Sequence, residues 1–187
     1  METQVQVGIL CALGLCWASV SLAEPSAALD PGAEATAALA ALEDRYAHAP
    51  DDAALAERLA DAYLEMDRAD LAVAALGSAG GEALSDPAVG HRLARAYEET
   101  GRLGDALSTA ELARARCARA LGTAEASAAT AVPARGCSER VYVSLEMRAS
   151  ALARMRAGGV TDARHDPRAE VAYALSVRAA RIVSASR

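Results

Sequence analysis

Residues 59–72 read LADAYLEMDRADLA, and residues 93–106 read LARAYEETGRLGDA. Leu59, Ala60, Tyr63 and Ala72 return as Leu93, Ala94, Tyr97 and Ala106, each 34 positions later. An echo at a fixed period marks a repeat architecture, in which one small structural unit is copied and stacked. The unit reads as helical. Leu55, Leu59, Ala62 and Tyr63 fall on one stripe of a helix, and Val89, Leu93, Ala96 and Tyr97 do the same.

Composition points the same way. The apolar mass is mostly Ala with Leu and Val, and the chain has no Phe and only one Trp. Ala and Leu favour helix, whereas the residues strands prefer are scarce. The start signals are repeated too. Asp30-Pro31, Asp86-Pro87 and Asp166-Pro167 each set a capping carboxylate before a proline, and Asp51 or Asp52 supplies a fourth cap. Asp accepts from the free amides of the first turn, and Pro at the first helical position has no amide to leave unpaired. Gly101, Gly122 and the Gly158-Gly159 pair mark helix ends. Together these predict seven helices, at about 31–48, 52–66, 69–78, 87–100, 104–121, 138–157 and 167–184. On the last, Val171, Leu175 and Ile182 share a face.

The spacing resembles the tetratricopeptide repeat family, whose first helix pairs a large apolar residue with a small one, followed by a Tyr and, in the second helix, a small residue. Gly101 falls at the inter-helix glycine of that family, whereas Asp67 stands there in the earlier copy. An earlier half-repeat is visible in ALAALEDRYAHAPDD, with Ala38, Leu42 and Pro50 in place, and Ala110 and Ala113 extend the later copy. The resemblance covers residues 33–117, and Leu84 stands where the family has a proline. It implies an all-α, right-handed superhelical stack of antiparallel helix pairs. Tetratricopeptide-like repeats then occupy residues 24–121, a loop 122–136, and a capping helical pair 137–187.

The first 23 residues differ in kind. Residues 7–22 are apolar and uncharged, and Ser21-Leu22-Ala23 has small residues where a signal peptidase would cut. Glu2 takes the place of the usual basic start, so the segment reads either as a signal peptide or as an uncleaved anchor. Either reading exports the chain, to the periplasm or beyond, and a membrane role follows only if the leader stays attached. Removing it leaves Cys117 and Cys137, an even pair that suggests a disulfide in an oxidising compartment. Closing such a loop is worth about 3 kcal/mol in the chain-entropy account.

Charge is uneven along the chain. Residues 24–117 carry 18 acids against 8 Arg, a balance of -10, while residues 118–187 carry 6 acids against 11 Arg, a balance of +5. The imbalance reads either as solvated faces on two groups of helices, or as a polarised molecule whose acidic part meets a basic partner or whose two halves attract each other. The basic half lacks dense Arg runs and stacking aromatics, which argues against nucleic acid.

The family resemblance implies a binding groove on the first helix of each pair, away from the Leu/Ala/Tyr stripe. The residues there are Glu57, Asp61 and Leu64, then His91, Arg95 and Glu98. The groove leans acidic, so the expected partner is a protein segment bearing Arg or Lys. Self-association through the acidic and basic halves is the rival reading, and the oligomeric state stays open. No phosphate loop, nucleophile elbow or paired-His motif is present. Asp162, His165 and Asp166 read as loop polarity and a helix cap rather than a metal site. The expected function is therefore a protein-interaction scaffold of the bacterial envelope, with no enzymatic activity and no cofactor.

Overall fold

The computed structural model describes residues 31–122 and 136–185, and among them every regular element is an α-helix. They are α1 Pro31–His48, α2 Ala53–Glu65, α3 Ala69–Gly77, α4 Gly81–Ser85, α5 Pro87–Glu99, α6 Leu103–Ala120, α7 Glu139–Ala157 and α8 Pro167–Ala185. The leader, Asp30 and most of the 122–136 loop lie outside the described residues. The chain divides into two compact units, residues 1–38 and 39–187. Of the first, only the start of α1 is described; all the packing below belongs to the second.

Local chemistry sets the helix ends. Asp52 caps α2 by accepting from the amides of Ala54 at 2.9 Å and Leu55 at 3.2 Å. Asp86 caps α5 by accepting from Ala88 N at 2.7 Å, and Asp166 does so for α8 from Arg168 N at 2.9 Å. At the far ends, the 34-residue echo reappears in the hydrogen bonds. Arg68 N donates to Tyr63 O at 2.8 Å and Arg102 N to Tyr97 O at 2.8 Å. These are the long bonds of a Schellman turn, which needs a left-handed residue just past the helix. Gly101 supplies it with φ 77°, and Asp67 takes the same conformation with φ 56°. The sequence mismatch at Asp67 is thus not a backbone mismatch. Asp is among the few side chains that visit this region readily.

The turn occurs a third time. Val160 N donates to Met155 O at 2.9 Å, around Gly159 with φ 68°. Met155 therefore stands where Tyr63 and Tyr97 stand, and α7 is built like α2 and α5 at its C-terminal end. This kinship lies in backbone geometry, and the side chains that marked the first two copies are replaced.

Helices pack as successive pairs, α2 with α3, α5 with α6 and α7 with α8, and α5 also touches α2 and α7. Buried alanines make this close approach possible. Ala56, Ala60, Ala72, Ala94, Ala106 and Ala110 have no exposed surface at all. Gly90 extends the rule: a Cβ there would sit 2.8 Å from Ala113 Cβ on α6. Two larger cores lie either side of α5. Tyr46, Leu55, Leu59, Tyr63, Leu76, Val89 and Leu93 belong to one, and Ala94, Leu103, Leu107, Leu152 and Met155 to the other.

Two differences from the sequence expectation stand out. Seven helices were predicted, but residues 81–85 form an additional short one, α4. Ala83 is fully buried there against the first core, and Arg116 of α6 donates to Leu84 O at 2.7 Å, closing the helix end. The second concerns α8. It buries Ala169, Ala172 and Ser176, and turns Val171 (58% exposed) and Leu175 (45%) outward. A small-residue face lets α8 lie close to α7, where Ser176 and Ser150 hydroxyls meet at 3.2 Å. Ile182's side chain lies outside the described residues.

Cys117 and Cys137 form a disulfide with Cα atoms 5.4 Å apart, joining α6 to the residue before the Ser138 cap of α7. The sequence pairing is thus present in the structure.

Candidate binding cleft

The first helices of the three pairs, α2, α5 and α7, lie side by side, because α5 packs against both of the others. A cleft of about 360 Å³ opens on them. Asp61 of α2 forms one wall, His91, Arg92 and Arg95 of α5 the floor, and Arg140, Val141 and Ser144 of α7 the other wall. A smaller cleft of about 220 Å³ adjoins it at Arg95, bounded by Glu98, Glu99, Arg148, Arg164 and Tyr173.

Of the six residues the sequence placed in a groove, Asp61, His91 and Arg95 line the larger cleft. Glu57 stands beside it, held by Arg92 at 2.7 Å. Leu64 requires correction as an open-groove residue, whereas Glu98 borders the smaller cleft but is largely covered. Leu64 is 3% exposed inside the first core, and Glu98 is 8% exposed. Both extend a row of small buried residues at helical spacing, Ala56-Ala60-Leu64 on α2 and Gly90-Ala94-Glu98 on α5. That row faces neighbouring helices, so its last member is covered as well.

The two ends of these rows solve one steric problem with different chemistry. Leu64 needs only apolar neighbours. Glu98 brings a carboxylate into the same position, and a buried charge demands a partner. Arg148 of α7 pairs with it directly, and Tyr173 of α8 donates its hydroxyl at 2.7 Å. Arg148 also reaches Tyr173 Oη at 3.1 Å and His91 Nε2 at 3.4 Å. One guanidinium therefore ties α5, α7 and α8 together.

His91 receives that contact as an acceptor, which puts its own proton on Nδ1. Burial, followed by the charges of Arg148, Arg92 and Arg95, pushes its pKa down from 6.5 to about 4. The ring is neutral at pH 7. Tyr173 is pushed well above the ordinary phenol range, chiefly by burial.

The acidic character expected of the groove is cancelled from within. Arg92 bridges α5 to α2, holding Glu57 at 2.7 Å and Asp61 at 3.1 Å. Glu99 is likewise held by Arg95 at 2.7 Å and approached by Arg164 at 3.7 Å. Arg140 is exposed and has no carboxylate within 4.0 Å among the described residues. Sequence reading missed Arg92, Arg140, Ser144, Arg148 and Tyr173. The α7 and α8 members come from helices that carry no side-chain echo. The one legible signal was Glu98 itself, a charge 34 residues after a Leu in an otherwise matched copy.

The remaining polar clusters are accounted for structurally. His165 Nδ1 meets Asp162 Oδ2 at 2.8 Å, and Asp166 caps α8 while pairing with Arg168. Among the described residues no group of three His, Cys, Asp or Glu is placed to hold a metal. Ser144 Oγ donates to Arg140 O at 2.9 Å, four residues back. None of the described helices is long and apolar enough to cross a membrane.

No protein-family model matches this chain, and neither does any curated protein or solved structure.

Proposed function

We propose that this chain is a protein-interaction module of the tetratricopeptide type, which takes a segment of another protein in the cleft along α2, α5 and α7. The observation that carries this reading is the composition of that cleft. First helices from three successive pairs contribute polar side chains to one open groove. Stacked repeats use such continuous surfaces to bind extended partners. The repeated turn at Asp67, Gly101 and Gly159 supports a regular stack, and a right-handed superhelix is the form this reading gives it.

The module works outside the cytoplasm. The apolar run at residues 7–22, read as a signal peptide or an anchor, supports export to the envelope. The Cys117–Cys137 bridge supports an oxidising compartment. The reading assigns the chain no catalytic step. Self-association through oppositely charged halves has less support, because two arginines of the basic half already meet acids of the other half within the chain: Arg148 meets Glu98 and Arg164 meets Glu99.

Photocrosslinking tests this. A photoreactive residue placed at Ser144 in the cleft should give a discrete adduct with another envelope protein in the native host. The same residue at Leu112, exposed on α6, should not. An adduct from Leu112 alone would move the interface off the cleft.

A further inference from the structure

The chemistry of the cleft narrows its occupant. We infer that the segment it takes is acidic and presents side-chain carboxylates to Arg140 and Arg95. This rests on the cleft being the binding surface, and it reverses the basic partner expected from the sequence.

The case starts with the supply of donors and acceptors. Arg carries five N–H donors and no acceptor. Three arginines line the cleft against one carboxylate, Asp61. That carboxylate already accepts from Arg92 Nε and Nη2, each at 3.1 Å. Glu57 is spent on the same guanidinium. Arg95 gives Nε to Glu99 at 2.7 Å, while its side chain remains 43% exposed. Arg140, on the opposite wall, is exposed and without a carboxylate partner among the described residues. His91 is a neutral ring among these cations. The open hydrogen-bonding capacity of the cleft is thus mostly donor capacity on positive groups. A carboxylate is an acceptor-only group that an Arg fork engages through two parallel bonds. A Lys or Arg entering the same space would meet three guanidiniums, and would share Asp61 with Arg92. Such like-charge juxtaposition is how interfaces reject wrong partners.

The two walls also divide the work. Arg92 is locked between α2 and α5 and serves the fold. Arg140 and Arg95 stand on different helices, α7 and α5, and are the groups left to meet a ligand. A segment carrying more than one acid offers a carboxylate to each.

The test uses two synthetic peptides against the full oxidised chain, one alternating Glu and Ala, the other Lys and Ala. Both are acetylated and amidated, so side chains hold the only charges. Binding is read by calorimetry at low and high salt. The Glu peptide should bind, weaken with salt, and lose about tenfold in affinity on Arg140→Glu, an exposed charge reversal. Arg156→Glu, an exposed change at the far end of α7, is the control and should leave binding nearly unchanged. Circular dichroism checks that both variants are folded. Tighter binding of the Lys peptide overturns the acidic assignment and leaves the interaction module standing. Equal losses from Arg140→Glu and Arg156→Glu overturn it too, because net charge alone would then explain binding. Failure of both peptides, with a crosslinked adduct still formed at Ser144, overturns the acidic assignment only. Failure of both peptides with no adduct removes the module as well.

Discussion

Replacing Arg148 by Met should strand the Glu98 carboxylate. The two side chains are only 15% and 10% exposed, so the pair is shielded from water on most sides. Removing one partner of a buried pair costs about 3–5 kcal/mol, because the survivor stays desolvated and unpaired. Tyr173 still donates to Glu98 at 2.7 Å and returns part of that loss. The expected figure is therefore the low end, about 3 kcal/mol, a large part of the stability of an ordinary domain. The double change Glu98→Leu with Arg148→Met should behave differently. It removes both charges and installs at position 98 the residue that position 64 already carries in the preceding copy. Its cost should be within about 1 kcal/mol of wild type, since apolar replacement of a whole buried pair is often neutral. Urea unfolding of the oxidised chain measures both, with the midpoint reporting stability if the slope is unchanged. A small cost for Arg148→Met, together with a larger one for the double variant, would refute this account. The pair would then be a solvated contact, and position 98 would not be a core site.

Three further outcomes follow from the same structure. His91 has its pKa lowered to about 4 when folded, against an ordinary 6.5. Between those values the unfolded chain binds the extra proton, so its stabilising contribution is complete above pH 6.5 and lost as pH falls toward 4. At pH 5 the loss is about 2 kcal/mol as an upper figure, because the ring is only partly buried. His91→Gln should flatten stability between pH 7 and pH 5, and an unaltered slope would reject the neutral-ring assignment. At the helix-end turns, Gly101→Ala should cost about 1 kcal/mol, while Gly101→Asn costs less. Thermal melts compare the two, and equal effects would show that the left-handed conformation is not what position 101 demands. Finally, Cys117→Ser with Cys137→Ser should lower stability by about 3 kcal/mol through loop entropy. An unchanged urea midpoint would mean the bridge does not constrain the unfolded chain.

The sequence alone determined the helical class, the period and most of the helix boundaries. All of these rest on local causes. Asp52, Asp86 and Asp166 cap helices through amides two or three residues away, and a small residue such as Ala60 or Ala106 admits a close neighbour whatever that neighbour is. The Asp67 turn was obscured only because Asp replaces Gly while keeping its backbone shape. The pairing of Cys117 with Cys137 was legible by elimination once the leader was set aside.

The character of the cleft was a tertiary decision. Charge counted along the chain made the groove acidic, yet Arg92 reaches back from α5 to hold both Glu57 and Asp61. Arg148 lies 50 residues from Glu98, and Tyr173 lies 75 away. Their meeting depends on how α7 and α8 pack against α5, helices whose side chains no longer echo the repeat. The same packing covers Leu64 and Glu98 and turns Val171 outward. A repeat specifies which residues share a helix face, because helical periodicity is a property of the backbone. Which of those faces are covered, and which charges are already answered, depends on side chains brought in from distant parts of the chain.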